Sequence, residues 1–272
     1  MLSLLILTPG LTVVDVGTFS AAKRLPFENQ DAFFSAPPSL CGVFDGVSQC
    51  PQSRAFAQAL AKSSCDSLRG REGEGEFAEQ VQLALGKATE AAQGFKGATT
   101  ACVVRFELDQ EQPRLSGYAI GDSECMVLRS KDGGAMSVAE VSPVKFHENG
   151  APYQLAGKGF ITDSSEDGVD FAFDLFTGDI VLCYSDGICD NLEPEEIAEI
   201  VGASGREPAQ AMAREIVRAA RAAGWVDDDC TVVAMRMGTG QPVGGEPVFA
   251  ETAPWEDGRV VMPELPFKLP FA

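Results

Sequence analysis

Apolar and polar positions fall into two rhythms along this chain. Val13 to Ser20 reads as a strand, and a second strand begins at Asp31 to Phe34 and continues through Leu40 to Phe44. Pro51 then opens a helix-like stretch, Ser53 to Leu68, with apolar residues at Phe56, Ala59 and Leu60. The Gly- and Glu-rich run from Arg69 to Glu76 breaks it, and a second amphipathic helix covers Phe77 to Ala92. Short strand-like segments follow at Thr99–Phe106, Leu115–Ile120 and Cys125–Arg129, joined by turns such as the one from Lys131 to Gly134. Ser142 to Asp170 is loop-rich, and Asp179 to Tyr184 is a strongly apolar strand. Two more helices are predicted, Pro194–Val201 with acids behind a first-turn proline, and Pro208–Ala223. Cys230 to Met237 closes as a strand. Helices segregate in pairs between groups of strands, which is an α+β pattern.

The 272 residues allow one large domain or two small ones, and one domain is placed at 1–237. From residue 238 to 272 the chain carries six of its sixteen prolines, which predicts an extended tail. The start, Met1 to Gly10, is apolar but has no basic segment before it and is too short to span a bilayer. Eight cysteines lie mostly inside apolar runs, where Cys behaves as a small hydrophobe, and no C-x-x-C occurs. With His147 the single histidine, Cys/His zinc chemistry is almost excluded, and reduced thiols in an intracellular soluble protein are expected. Cytoplasm and organelle both stay open. The net charge of −19 argues against nucleic acid as a partner and leaves a solvated acidic surface, or a preference for basic segments, as its meaning.

Three acidic segments carry the chemistry. Val43-Phe44-Asp45-Gly46, Tyr184-Ser185-Asp186-Gly187 and Asp227-Asp228-Asp229-Cys230 each sit at the end of an apolar, strand-like run. Glycine lets a metal or phosphate approach the backbone closely. Carboxylates gathered from distant parts of a chain repel one another unless a cation shares them. The simplest resolution is a divalent-metal centre that hydrolyses a phosphate ester. Cysteine chemistry offers little competition. C-x5-R occurs at Cys65 to Arg71 and at Cys230 to Arg236, without a preceding His or a Gly-rich cradle. Ser20-Ala-Ala-Lys23 mimics an S-x-x-K motif without its supporting partners.

These segments, with Glu28 to Ala32, Gly97 to Thr100 and Ala119 to Ser123, resemble in order the motifs of the metal-dependent serine/threonine protein phosphatases of the PPM, or type 2C, family. The resemblance runs from Val13 to Met237 and implies a four-layer αββα sandwich of two antiparallel sheets flanked by helix pairs. It implies two Mg²⁺ or Mn²⁺ ions bridged by Asp45, with the Gly46 carbonyl on one and Asp186 and Asp228 on the other. Asp122 would help form a weaker third site beside Asp186, with Asp190 a contributor. Asp31 would orient water, and phosphoprotein substrates are implied. The segment from His147 to Leu155, with Val47, is similar to the organelle-associated eukaryotic branch.

The chain departs from the family at three places. Gln30 stands where many members have an acid, Pro26 where well-known members grip substrate phosphate with Arg, and Val47 where a His often serves as acid. Lys23 and Arg24 are the nearest cations to the missing Arg, and Arg24 is the candidate substrate-binding residue. The expected activity is therefore hydrolysis of phosphoserine and phosphothreonine. A catalytically weak regulatory module and a small-molecule phosphomonoesterase are the alternatives.

Overall fold

Every strand near the centre of this molecule is covered on both faces, and alternate residues along it therefore serve different layers. The computed structural model describes residues 10–23, 28–71, 74–108, 112–130 and 133–249, with the backbone of 255–256 and 259–260. The chain begins with β1 (Leu11–Ala21), β2 (Ala32–Ala36) and β3 (Leu40–Phe44), followed by helices α1 (Ser53–Leu68) and α2 (Phe77–Ala91). Next come β4 (Ala98–Thr99), β5 (Ala101–Glu107), β6 (Arg114–Ile120), β7 (Glu124–Ser130), β8 (Met136–Val141), β9 (Leu155–Ala156), β10 (Val169–Asp174) and β11 (Ile180–Tyr184). The short α3 (Asp186–Cys189), then α4 (Pro194–Ser204) and α5 (Ala209–Ala223), precede β12 (Cys230–Thr239) and β13 (Val248–Phe249).

One sheet has the order β1-β12-β11-β7-β8 and the other β10-β6-β5-β3-β2-β13, with antiparallel pairing throughout. Phe33, Cys41 and Val43 point between the sheets, where they meet Val127, Val181, Cys183 and Val233. Their neighbours Phe34 and Phe44 point outward and pack with Phe56, Leu60, Val81 and Leu85 of α1 and α2. On the opposite outer face, Leu182, Val232 and Ala234 pack with Ile197 of α4 and Met212, Ile216 and Val217 of α5. The period of two along each strand thus builds the four layers, helix pair, sheet, sheet, helix pair, expected from the sequence.

Polar contacts between layers tie the helices down. Asp15 of β1 accepts the N–H of Ala209 at 2.7 Å, satisfying a donor that the first turn of α5 leaves open. The buried Arg105 of β5 donates to the Leu68 carbonyl at the end of α1 and to Gln80 of α2, with its guanidinium over the Phe77 ring. Helix α4 starts with Pro194 in its first turn, and Glu193 and Glu196 form a reciprocal capping box.

The architecture departs from the sequence pattern in particular places. The run expected as one strand from Asp31 to Phe44 is a hairpin, β2 and β3, that turns at Pro37-Pro38, since proline cannot donate to a continuing ladder. β8 and β10 were not expected. β10 lies at a sheet edge with Phe171 and Phe173 turned inward and Asp170, Ala172 and Asp174 exposed. The boundary after residue 237 falls inside β12, and Val248–Phe249 pairs with β2, so part of the expected tail extends a sheet. Pairing edge backbone in this way satisfies donors and acceptors that an unpaired β2 would leave exposed. Among the described residues no helix is long and apolar enough to cross a membrane.

Phe56 lies at the centre of the interface between α1 and its sheet and is completely buried. Phe56→Ala is expected to destabilise the fold by about 3–5 kcal/mol, read as a lowered urea midpoint with an unchanged denaturant slope.

Candidate metal centre

The two sheets deliver acidic residues to one end of the sandwich. Asp45 follows β3, Asp122 occupies the turn between β6 and β7, Asp186 opens α3 after β11, Asp228 precedes β12, and Asp31 immediately precedes β2. The glycines beside them are needed for close approach. A Cβ on Gly46 would lie 2.2 Å from the Gln30 carbonyl oxygen, and one on Gly187 would lie 2.0 Å from the Asp229 carbonyl oxygen. The Asp45 carbonyl is itself held by the Thr99 hydroxyl at 2.7 Å and the Thr100 N–H at 2.9 Å.

One carboxylate oxygen from each of Asp45, Asp122 and Asp186 lies within 4.8 Å of the other two. Among the described residues this is the one such grouping of three or more metal-ligating side chains. Buried oxygens of Asp31, Asp122 and Asp186 have no hydrogen-bond partner. An all-oxygen set with open, buried acceptors fits a hard divalent cation. The protonation behaviour points the same way. Burial, with the charge of Asp186 added, pushes the Asp122 carboxyl up to about 7. Burial and the Asp229 charge push Asp31 up to about 8. Asp45 is raised well above the usual carboxylate range by burial, then by Asp186 and Asp31. Asp186 is raised mainly by burial as well.

Asp31 is fixed by a chain of hydrogen bonds. Its Oδ2 accepts the Ser185 hydroxyl at 2.7 Å, and its N–H donates to Asn29 Oδ1 at 2.9 Å. Asn29 donates to Ser20, which lies 2.6 Å from the Thr231 hydroxyl, and the Thr231 N–H returns to Ser185 at 3.0 Å. Strand β1, both edges of the site and the start of β12 are thereby tied together.

The expected residues are arranged as follows. Asp122, read from sequence as serving an outlying ion, stands beside Asp45 and Asp186. Asp228 faces the same centre but is paired with Lys23, whose Nζ lies 3.5 Å away. Asp190 is exposed and adds its charge next to Asp122 and Asp186. Val47 packs its side chain with Cys50, Ala98 and Ala156. Arg24 and Pro26 lie outside the described residues. Cys65 and Cys230 are buried with burial-raised thiols, Cys65 to about 11, which disfavours the thiolate a cysteine nucleophile needs. The sequence reading missed Asp229, Ser185 and Asn29 as structural members of the site. All three stood within the quoted motifs, but nothing local marks a side chain that bonds across the sandwich.

The family model described as Stage II sporulation protein E (SpoIIE) matches residues 50–238, and the chain belongs to this PPM-type phosphatase family. It is similar to the probable protein phosphatase 2C BIPP2C1 of Oryza sativa subsp. japonica, 27% identical over 222 residues, covering 74% of this chain and 36% of that protein. It is also similar to the protein phosphatase PTC7 homolog of Homo sapiens, 35% identical over 102 residues, covering 35% of this chain and 31% of that one. The chain thus spans about a third of the length of these curated relatives. The photosystem II phosphatase PBCP shares the fold with a TM-score of 0.65 at 21% identity, covering 84% of this chain and 98% of PBCP. The catalytic domain of PstP, solved with two manganese ions, has a TM-score of 0.63 at 18% identity, covering 84% and 99%.

Raised carboxyl pKa values make a directional prediction. Unfolded carboxyls titrate near 4, so the contribution of Asp31 and Asp122 to stability is fullest below that pH and is lost as pH rises to about 7–8. The melting temperature of chelator-treated protein should fall across this window, and Mg²⁺ or Mn²⁺ should restore it most at the alkaline end. Asp186→Asn should raise the chelated melting temperature at pH 8 and remove most of the metal-induced gain. Equal metal stabilisation in the parent and this variant would remove Asp186 from the ligand set.

Proposed function

We propose that this chain hydrolyses phosphoserine and phosphothreonine esters in proteins with the help of divalent metal ions. The observation that carries the reading is the approach of Asp45, Asp122 and Asp186, three carboxylates from different strands with oxygens within 4.8 Å. Asp45 and Asp186, with Asp228 and the Gly46 carbonyl, would hold two Mg²⁺ or Mn²⁺ ions, and Asp122 would extend the set. PstP, a structural neighbour, was solved with two manganese ions, which supports the same number here. Bound there, such ions supply positive charge for a phosphoryl group and make water a nucleophile at neutral pH.

The chain's own groups do the rest. Asp31 has one oxygen held by Ser185 and the other without a hydrogen-bond partner beside Asp45, where it would orient water. Val47 supplies no proton, so the leaving group draws its proton from water. The surrounding apolar frame keeps the carboxylates in place before any ligand arrives, which lowers the reorganisation needed during reaction. A net charge of −19 favours basic segments around the phosphorylated residue and disfavours nucleic acid. The sequence of the segment from His147 to Leu155, with Val47, is the ground for reading the chain into the organelle-associated branch.

The test is hydrolysis of an aryl phosphate and then of phosphopeptides, with Mn²⁺ or Mg²⁺ and with excess chelator. Turnover should require metal. Asp45→Asn should reduce it by about three to five powers of ten, each power corresponding to about 1.4 kcal/mol of barrier. Undiminished turnover in chelator would defeat the metal mechanism. Metal binding without hydrolysis of any phosphoester would favour a regulatory module, and activity confined to small esters would favour a metabolite phosphatase.

A further inference from the structure

Lys23 is drawn to the carboxylate centre from several directions. Its main-chain N–H donates to Asp229 Oδ1 at 2.7 Å, its ammonium donates to the Ser48 hydroxyl, and Nζ lies 3.5 Å from Asp228 Oδ1. The residue before it is fixed too, since Arg221 of α5 donates to the Ala22 carbonyl. The Gln30 N–H donates to the other oxygen of Asp229, again at 2.7 Å. One buried carboxylate therefore grips both residue 23 and residue 30, and sets where each stands relative to Asp31 and Asp228. The Lys23 side chain is 13% exposed, so its charge sits at the rim, restrained but reachable. Ser48 lies two residues beyond Gly46, on the same loop as Asp45.

The charge balance of the centre gives this lysine a task. Asp31, Asp45, Asp122, Asp186, Asp228 and Asp229 bring up to six negative charges to one place, and two divalent ions offset four. A dianionic phosphate monoester approaching such a centre needs further positive charge, and a lysine ammonium is a compact point charge suited to phosphate oxygens. We propose that Lys23, with Ser48 beside it, binds the phosphoryl oxygens of the substrate, and that Asp229 is the positioning residue that holds Lys23 at the rim. This proposal rests on the phosphatase reading above.

The decisive measurement is calorimetric binding of inorganic phosphate to Mg²⁺-loaded protein, with Mg²⁺ affinity measured beside it. Lys23→Gln should weaken phosphate at least about tenfold, the loss of one charge-assisted hydrogen bond, while Lys23→Arg keeps most of the affinity. The KM for an aryl phosphate should rise more than kcat falls. Asp229→Asn should weaken phosphate in the parent but add little in the Lys23→Gln background, a coupling that general loosening of the fold would not produce. Unchanged phosphate affinity in Lys23→Gln overturns the proposal. So does tighter Mg²⁺ with unchanged phosphate, which would make Lys23 only a counter-ion for Asp228. Phosphate binding that depends on Lys23 in a protein with no hydrolytic activity would reject the phosphatase reading while upholding the phosphate contact.

Discussion

Mutual repulsion among Asp31, Asp45, Asp122 and Asp186 has to be borne by the fold, because burial keeps water from absorbing it. Burial raises the carboxyl pKa of Asp31, Asp45, Asp122 and Asp186, with neighbouring charge adding to it. Such a cluster survives only where the backbone carrying it cannot relax. The apolar layer between the sheets provides that resistance. Cys41, Val43, Cys102, Cys125, Val181, Cys183 and Val233 pack there without exposure, directly below the acidic strand ends. The thiols act as small hydrophobes that let the sheets approach, and Cys41 and Cys183 come within 3.7 Å across the interface.

Hydrogen bonding then converts a rigid frame into a defined site. Ser20, Asn29, Ser185 and Thr231 place Asp31, and the hydroxyl and N–H of Thr99 and Thr100 place the Asp45 backbone. Asp229 adds the clamp across residues 23 and 30. Each of these groups is polar and buried, and each would be costly if left without a partner. Satisfying one another, they remove freedom from side chains whose charges would otherwise swing apart. Asp228 follows the same logic, with the Lys23 ammonium offsetting its charge at the rim.

The departures at Val47 and Pro26 can be weighed against that network. Val47 fills an apolar contact with Cys50, Ala98 and Ala156, so its side chain supports the short β4–β9 ribbon beside Asp45. Cationic help reaches the centre from the end of β1 through Lys23. A site can thus differ from its relatives in which residue supplies a charge while the carboxylate frame, carried by strand ends, stays in place.

Much of this was legible in the chain itself. Helix α1 spans the residues its periodicity marked, Ser53 to Leu68, the apolar runs that became β3 and β11 lead into acidic segments and the run that became β12 follows one, because strand and helix periods and Asp-Gly pairs are local signals. The hairpin was legible only in the Pro37-Pro38 pair, because both arms are apolar on two faces and read as one run. The edge strands β8 and β10 and the pairing of Val248–Phe249 with β2 escaped notice because an edge strand is stabilised by its neighbour more than by its own composition. Sequence alone determined which residue types stand at the strand ends, carboxylates that at Asp45, Asp122 and Asp186 have a glycine beside them. Tertiary structure alone decided that Asp122 meets Asp45 and Asp186, that Asp229 holds Lys23 and Gln30, and that Lys23 pairs with Asp228. Those distances are set by sheet register and layer packing between residues up to about two hundred positions apart, and no local pattern encodes them.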